Sequence, residues 1–416
     1  METNQTLALS AMDQYNILAF GTPIENVPYF LVRLDEAVAE ERLRNAVEGT
    51  LRGWPRFQTR LCLGKTPVLE ANRQPVLLHH TSAEQRPLEL EKANNGYLWQ
   101  ICYEGDTISF EWCHALTDGR GALRFFSAIL ERYYGAEAPC QPEETGAGAD
   151  RLPTPEGAPL PEKEQPKGYR LRDFPSEPHP KRHFRCHGIK MPTGDVLAVS
   201  HRADSTPAAV LVPLFSRAVR RYLPTAAKNR TVCSSVVIDA RTPTRTETIH
   251  NFILTRQLSY VDRYDDMEFA LVSTIYRSLL DVTVQPENAA SHAAELVHGI
   301  QALLGIRPAA IRKLLFRQIA TLLKKTQCNF AFTYLGRVPV SEETAGHLLD
   351  FQFRSWADFG QANLAVIDLN GTMHINICEE YKDQRVIDAF AENCRSVGIA
   401  VQEPVTFWQS EACNRF

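Results

Sequence analysis

No two of the ten cysteines stand in Cys-x-x-Cys spacing; they are scattered singly from Cys62 to Cys413. That excludes a dithiol redox motif or a zinc ribbon and reads as reduced, mostly buried thiols of a cytoplasmic protein. No stretch approaches the roughly 18 uninterrupted apolar residues of a membrane span. Met1 to Phe20 lacks the basic start and apolar run of a secretory signal. Positive charge is not in excess either: the net charge of -4 offers phosphate backbones no general attraction, so nucleic acid is not an expected partner. There is no Gly-x-Ser-x-Gly elbow, phosphate-cradling loop or dinucleotide fingerprint, so hydrolase, kinase and dehydrogenase chemistries have no site. No period of 20 to 50 residues repeats, which excludes a solenoid.

What is present fits a globular chain, with 44% apolar and 23% charged residues. At 416 residues it is long for one hydrophobic core, and two lobes are expected. Ten of the twenty-five prolines lie between Pro139 and Pro180, too many for regular structure. The expected division is therefore an N-terminal lobe over 1–138, a Pro-rich crossover over 139–181 and a C-terminal lobe over 182–416.

Tyr29 to Leu34 reads as a strand. Ala39, Leu43, Val47 and Leu51 recur every fourth residue, which predicts a helix over 37–51 closed by Trp54-Pro55. Thr107 to Cys113 alternates, with Ile108, Phe110 and Trp112 on one side and Ser109 and Glu111 on the other, as in a half-buried strand. A helical pattern follows from Gly119 to Tyr134. In the second half, 206–223 reads as a helix, Val232 to Ile238 and Phe330 to Leu335 as strands, and Leu364 to Leu369 with Met373 to Cys378 as a hairpin about Asn370-Gly371. Mixed sheets covered by helices, an α/β (α+β) fold, are expected in both halves.

His114 leaves the alternating strand just before the helix, in the segment His114-Ala-Leu-Thr-Asp118-Gly119. At average usage His-x-x-x-Asp-Gly arises by accident in about 4% of chains this long, so its setting carries the weight: strand ends deliver side chains into clefts from a rigid scaffold. Imidazole titrates near neutral pH and can take the proton of an attacking hydroxyl or amine. The alternative is a histidine satisfied by backbone partners. Asp118 is placed to cap the helix or, alternatively, to form a buried ion pair holding the loop. Gly119 permits a tight turn or a close approach.

The segment resembles the active-site signature of the superfamily that includes chloramphenicol acetyltransferase, peptide-synthetase condensation domains, plant BAHD acyltransferases and alcohol acetyltransferases. Val32-Arg-Leu-Asp35 and Trp54-Pro-Arg-Phe-Gln-Thr-Arg-Leu61 resemble its opening. Val237-Ile-Asp-Ala-Arg241 with Asn251-Phe252 is similar to its "vdlR…GN" region, and Phe332-Thr-Tyr-Leu-Gly336 to its "fnYLG" strand. The resemblance implies two lobes meeting at a tunnel, His114 as general base, and Asp118 turned away from it onto Arg241. Thr333 and Tyr334, on the strand resembling "fnYLG", are candidate hydroxyl donors to an oxyanion; both residue types are equally ordinary strand formers.

Departures narrow the likeness. Cys113 stands where condensation and epimerisation domains carry a first histidine, and Asp358-Phe359-Gly360 is not followed by the Trp-Gly of the plant enzymes. The likeness is therefore nearest to alcohol acetyltransferases. It implies transfer from acyl-CoA, as co-substrate and without a permanently bound cofactor, to a small alcohol or amine, with no acyl-enzyme. The alternative is a non-catalytic module docking an acyl carrier protein.

Two other features carry less. His179, His183, Cys186 and His187 cluster, but in no metal-binding spacing, so no metal is expected and a solvated end of the crossover is. Pro308 to Lys325 predicts a basic amphipathic helix with Ile311, Leu314, Leu315, Ile319, Leu322 and Leu323 apolar. Packing of one face on its own core is expected there, rather than membrane contact.

Overall fold

The computed structural model describes residues 6–20, 27–63, 67–82, 88, 94–143, 183–222, 231–326, 328–355, 360–381 and 383–410. Most of the Pro-rich segment, residues 144–182 and His179 among them, lies outside the described residues. The first half forms β1 (Thr6–Leu7), α1 (Ala11–Ala19), β2 (Tyr29–Leu34), α2 (Glu40–Leu51), β3 (Thr59–Cys62), β4 (Val68–Ala71), β5 (Leu78–His80), β6 (Trp99–Glu104), β7 (Thr107–Trp112) and α3 (Gly119–Tyr133). The second half begins with β8 (His183–Pro192), α4 (Thr193–Arg202), α5 (Pro207–Tyr222), β9 (Val232–Asp239), α6 (Arg241–Thr244) and β10 (Ile253–Tyr260). Three long helices follow: α7 (Phe269–Val284), α8 (Pro286–Leu304) and α9 (Ala309–Thr326). The chain continues with β11 (Phe330–Arg337), α10 (Glu342–Gly346), β12 (Leu348–Arg354), β13 (Ala362–Leu369), β14 (Thr372–Glu379), α11 (Arg385–Ser396) and β15 (Val405–Ser410).

The expected two-lobed mixed α/β architecture is observed. One lobe is built on the five-stranded sheet β12-β2-β7-β6-β5, the other on the seven-stranded sheet β10-β9-β11-β13-β14-β8-β15. Each has its own core. Phe30, Phe110, Trp112, Phe125 and Phe126 fill the first, where apolar residues of α3 lie against the sheet. Val210, Phe215, Phe330, Phe332 and Phe390 fill the second, against α5 and α11. The lobes interlock, because β12 of the second half pairs with β2 of the first. At the β13–β14 turn Asn370 and Gly371 have φ of 50° and 75°, the left-handed pair that a two-residue hairpin requires.

Three expectations need correction. Strand β7 is not half-buried: Ser109 and Glu111 are enclosed as well, and Glu111 accepts from Gln100 Nε2 on the adjacent β6 at 2.7 Å. Cys186 and His187 are not at a solvated end of the crossover. They lie buried in β8, where His187 Nε2 is 3.0 Å from Glu379 Oε1; no metal-competent group of His, Cys, Asp or Glu occurs among the described residues. Helix α9 leaves the described part of its apolar stripe exposed; the side chains of Leu322 and Leu323 lie outside the described residues. Phe316 and Ala320 turn inward, whereas Ile311, Leu314, Leu315 and Ile319 remain exposed, because the neighbouring ring of Tyr15 meets Phe316, with centroids 5.4 Å apart.

Candidate active site

His114 emerges two residues beyond β7, and Leu116 N–H closes a turn onto Cys113 C=O at 2.9 Å. The chain then enters α3 through Asp118. His114 is half-buried, at the side of a cavity between the two lobes.

Two amides meet the His114 loop: Asn16 Nδ2, 3.5 Å from Nδ1 and donating to the His114 carbonyl at 3.3 Å, and, much closer to the ring, Asn251. His114 Nδ1 lies 2.7 Å from Asn251 Oδ1. Asn251 Nδ2 in turn donates to the His114 carbonyl at 2.7 Å and to Asp13 Oδ1 at 2.8 Å. Both of those partners can only accept, so the amide is fixed with Oδ1 towards the ring. An acceptor at Nδ1 makes Nδ1 the protonated nitrogen and leaves the Nε2 lone pair available. Burial lowers the His114 pKa below its ordinary value, against the opposing pull of Asp118, Asn251 and Asp13. The balance favours the neutral ring.

Behind Asn251 stands a buried cluster. Asp13 is fully enclosed and accepts from Arg56 Nη2 at 2.8 Å, while its Oδ2 lies 2.9 Å from His250 Nδ1. Burial raises the Asp13 pKa, but Arg56 and the histidine outweigh it and hold the carboxyl well below the usual range. Arg56 also donates to Leu116 C=O at 2.6 Å, tying the cluster to the His114 loop.

Asp118 divides its oxygens. Oδ1 caps α3, accepting from Arg120 N at 3.1 Å and Gly121 N at 2.9 Å. Oδ2 accepts from Arg241 Nη2 at 2.9 Å and Phe252 N at 3.0 Å. Helix cap and ion pair thus coexist. Burial raises the Asp118 pKa, but Arg241 and the backbone donors lower it further than burial lifts it. Arg241 spends its remaining donors on Asp239 and on the carbonyls of Thr248 and His250.

The cavity, about 330 Å³, is floored by one face of the large sheet. Register aligns Ser235 with Ala331 and Val237 with Thr333, Thr255 with Val237 and Ala331 with Asn363, and all of these residues line it. Thr333 shares that face. Tyr334 also borders the cavity, but its place in the alternation is on the other face and its ring packs with the second core. Apolar lining comes from Met12 and Tyr15 of α1, Ile253 of β10, and Leu296 and Ile300 of α8.

Gly119 and Gly121 both begin α3. A Cβ at Gly119 would meet the flexible Leu335 Cδ2 at 3.1 Å, whereas one at Gly121 would lie 2.0 Å from Thr117 Oγ1. The closer approach is at Gly121, which the sequence reading passed over. Asp13, Asn16 and His250 were passed over too, and Arg56 and Asn251 were noticed only for their resemblance. One local signal was available for Asp13: Ser10-x-x-Asp13 is a capping-box pattern, and Ser10 Oγ does accept from Asp13 N at 3.1 Å.

No family model matches the chain, and no curated protein does. Solved structures match its fold. Polyketide synthase associated protein 5 from Mycobacterium tuberculosis superposes with a TM-score of 0.64 at 11% identity, over 96% of this chain and 99% of that one. The epimerization domain from the third module of tyrocidine synthetase B gives 0.59 at 13%, over 95% of each chain. The condensation domain from monacolin K polyketide synthase gives 0.58 at 12%, over 95% of this chain and 97% of that one. A larger nonribosomal peptide synthetase chain matches over only 42% of its length. The protein has the two-lobed fold of condensation and epimerisation domains.

Proposed function

We propose that the protein is an acyltransferase that moves an acyl group from a thioester, acyl-CoA in the first instance, to an alcohol or amine. The observation that carries this reading is the fixed imidazole: Asn251 Oδ1 on Nδ1 at 2.7 Å leaves a neutral Nε2 to act as base. His114 Nε2 takes the acceptor's proton as its oxygen or nitrogen attacks the thioester carbonyl carbon. The C–S bond then breaks, and the departing thiolate recovers the proton from His114, with no covalent acyl-enzyme. Such general-base assistance is worth about 100- to 10,000-fold in rate. Thr333, on the cavity face, is the donor we assign to the developing oxyanion, with Tyr334 second. The apolar lining of α1 and α8 suits an acyl chain. Asp118, Gly119 and Arg241 hold the loop that aims His114 and take no part in proton transfer.

Thiol release from a panel of acyl-CoAs, with pooled alcohols and amines, tests this. Wild type is expected to release thiol with at least one donor, and His114→Ala to lose that release while keeping its thermal midpoint. The names of the solved neighbours, three of the four from peptide and polyketide synthases, favour a second reading as a module that docks a carrier protein. Absence of His114-dependent release from both CoA and carrier-tethered donors selects that module.

A further inference from the structure

Helix α9 presents its apolar side to solvent. Ile311, Leu314, Leu315 and Ile319 are 48%, 61%, 42% and 42% exposed. With 3.6 residues per turn these four fall on one broad outward arc, while Phe316 and Ala320 hold the helix against α1. Single exposed leucines are unremarkable, but four aliphatic side chains on one helix form a patch that monomeric proteins rarely leave bare. The same 18 residues carry Arg312, Lys313, Arg317, Lys324 and Lys325 and no carboxylate, in a protein whose net charge is -4. Arg317 and Lys313 are both exposed; on the helical circumference Arg317 neighbours Leu314, and Lys313 lies one step further round, at the margin of the packed side.

We propose that α9 seats the protein on an anionic lipid surface. An aliphatic ridge bordered by cations is the arrangement that enters the boundary between headgroups and acyl chains, with lysine and arginine reaching back to the phosphates. The positive helix complements the surface, although the whole protein would be repelled by it. Leu296 and Ile300 of α8, the helix preceding α9, line the cavity, and Leu296 is itself 38% exposed. One helical hairpin thus carries both the lipid-facing ridge and a wall of the site. The inference does not depend on the transferase reading.

Sedimentation of the full chain with vesicles tests it. Binding is expected with equal parts phosphatidylglycerol and phosphatidylcholine, falling as salt rises and weak with phosphatidylcholine alone. Leu314→Gln with Leu315→Gln, and separately Lys313→Gln with Arg317→Gln, should each weaken binding about tenfold or more at unchanged thermal midpoint. No binding to the mixed vesicles overturns the proposal, as does equal binding to both vesicle types or undiminished binding by the ridge variants. Self-association that the leucine variants abolish, or capture of an acidic carrier protein without vesicle binding, assigns the ridge to another occupant and equally overturns it.

Discussion

Asp13 and Asp118 are both buried, both paired with an arginine and both within one residue's reach of the His114 loop, yet they grip different things. Asp118 accepts from three backbone N–H groups, those of Arg120, Gly121 and Phe252, and from one side chain, Arg241. Asp13 meets three side chains, those of Arg56, His250 and Asn251, and accepts from one backbone group, Ser10 N. The first carboxylate fixes where the chain runs. The second fixes which way an amide points, and through that amide which nitrogen of His114 carries the proton. The same residue type with the same kind of ion pair therefore serves the fold in one place and the tautomer of His114 in the other.

The largest effect should come from breaking the backbone grip. Asp118→Asn removes the charge opposite Arg241, and stranding one partner of a buried pair typically costs about 3 to 5 kcal/mol. Loss of soluble protein, or a sharply lower denaturation midpoint, is expected. A purified Asp118→Asn protein melting with wild type would show that the pair does not hold the loop, and the contrast with Asp13 would collapse.

Asp13→Asn acts on the side-chain grip instead. The new amide can turn NH₂ towards Asn251, leaving the His114 carbonyl as the one partner that still requires Nδ2 on its side, so the population with Nδ2 facing the ring rises. An N–H donor at Nδ1 moves the imidazole proton to Nε2 and removes the base. Activity is therefore expected to fall proportionally more than stability, the reverse of Asp118→Asn, with the tautomer change visible in ¹⁵N shifts of labelled histidine. The pH profile adds a second readout. Burial lowers the His114 pKa below the ordinary 6.5, so the acid limb of kcat/KM should lie below that value. Because Asp13 raises this pKa, its neutralisation should move the limb to still lower pH. A limb above 6.5 in wild type, or one moving upward in the variant, contradicts the arrangement.

What could be read from the sequence follows the same division. Alternation located β7, helical spacing α3, and short apolar runs β9, β11 and the β13–β14 hairpin, whose Asn370-Gly371 turn is a local conformational requirement. His114 stood out because it interrupts a strand-to-helix junction. The Asp13 cluster was illegible because its members are 43 to 238 positions apart, and no local pattern links α1 to the loop before β10. The α9 stripe misled for a related reason: amphipathic spacing reports that a helix has two sides, but the neighbours decide which of them packs.

The smallest expected effect separates the two glycines at the start of α3. A methyl added at Gly119 meets the end of Leu335, whose rotamer can yield, and the Phe353 ring at an ordinary 3.7 Å, so Gly119→Ala should change stability by no more than about 0.5 kcal/mol. At Gly121 the added methyl would lie 2.0 Å from Thr117 Oγ1 and 3.1 Å from Ile249 C=O. That hydroxyl already donates to the Ile249 carbonyl at 2.6 Å, in a fully buried position that leaves it nowhere to rotate. Gly121→Ala should therefore displace the loop between His114 and Asp118, at a cost of about 1 to 3 kcal/mol, and lower activity through His114 placement. Paired denaturation and thiol-release measurements decide the point. If Gly119→Ala is the more damaging of the two, the glycine of the His-x-x-x-Asp-Gly pattern is required by something other than the space around its Cβ.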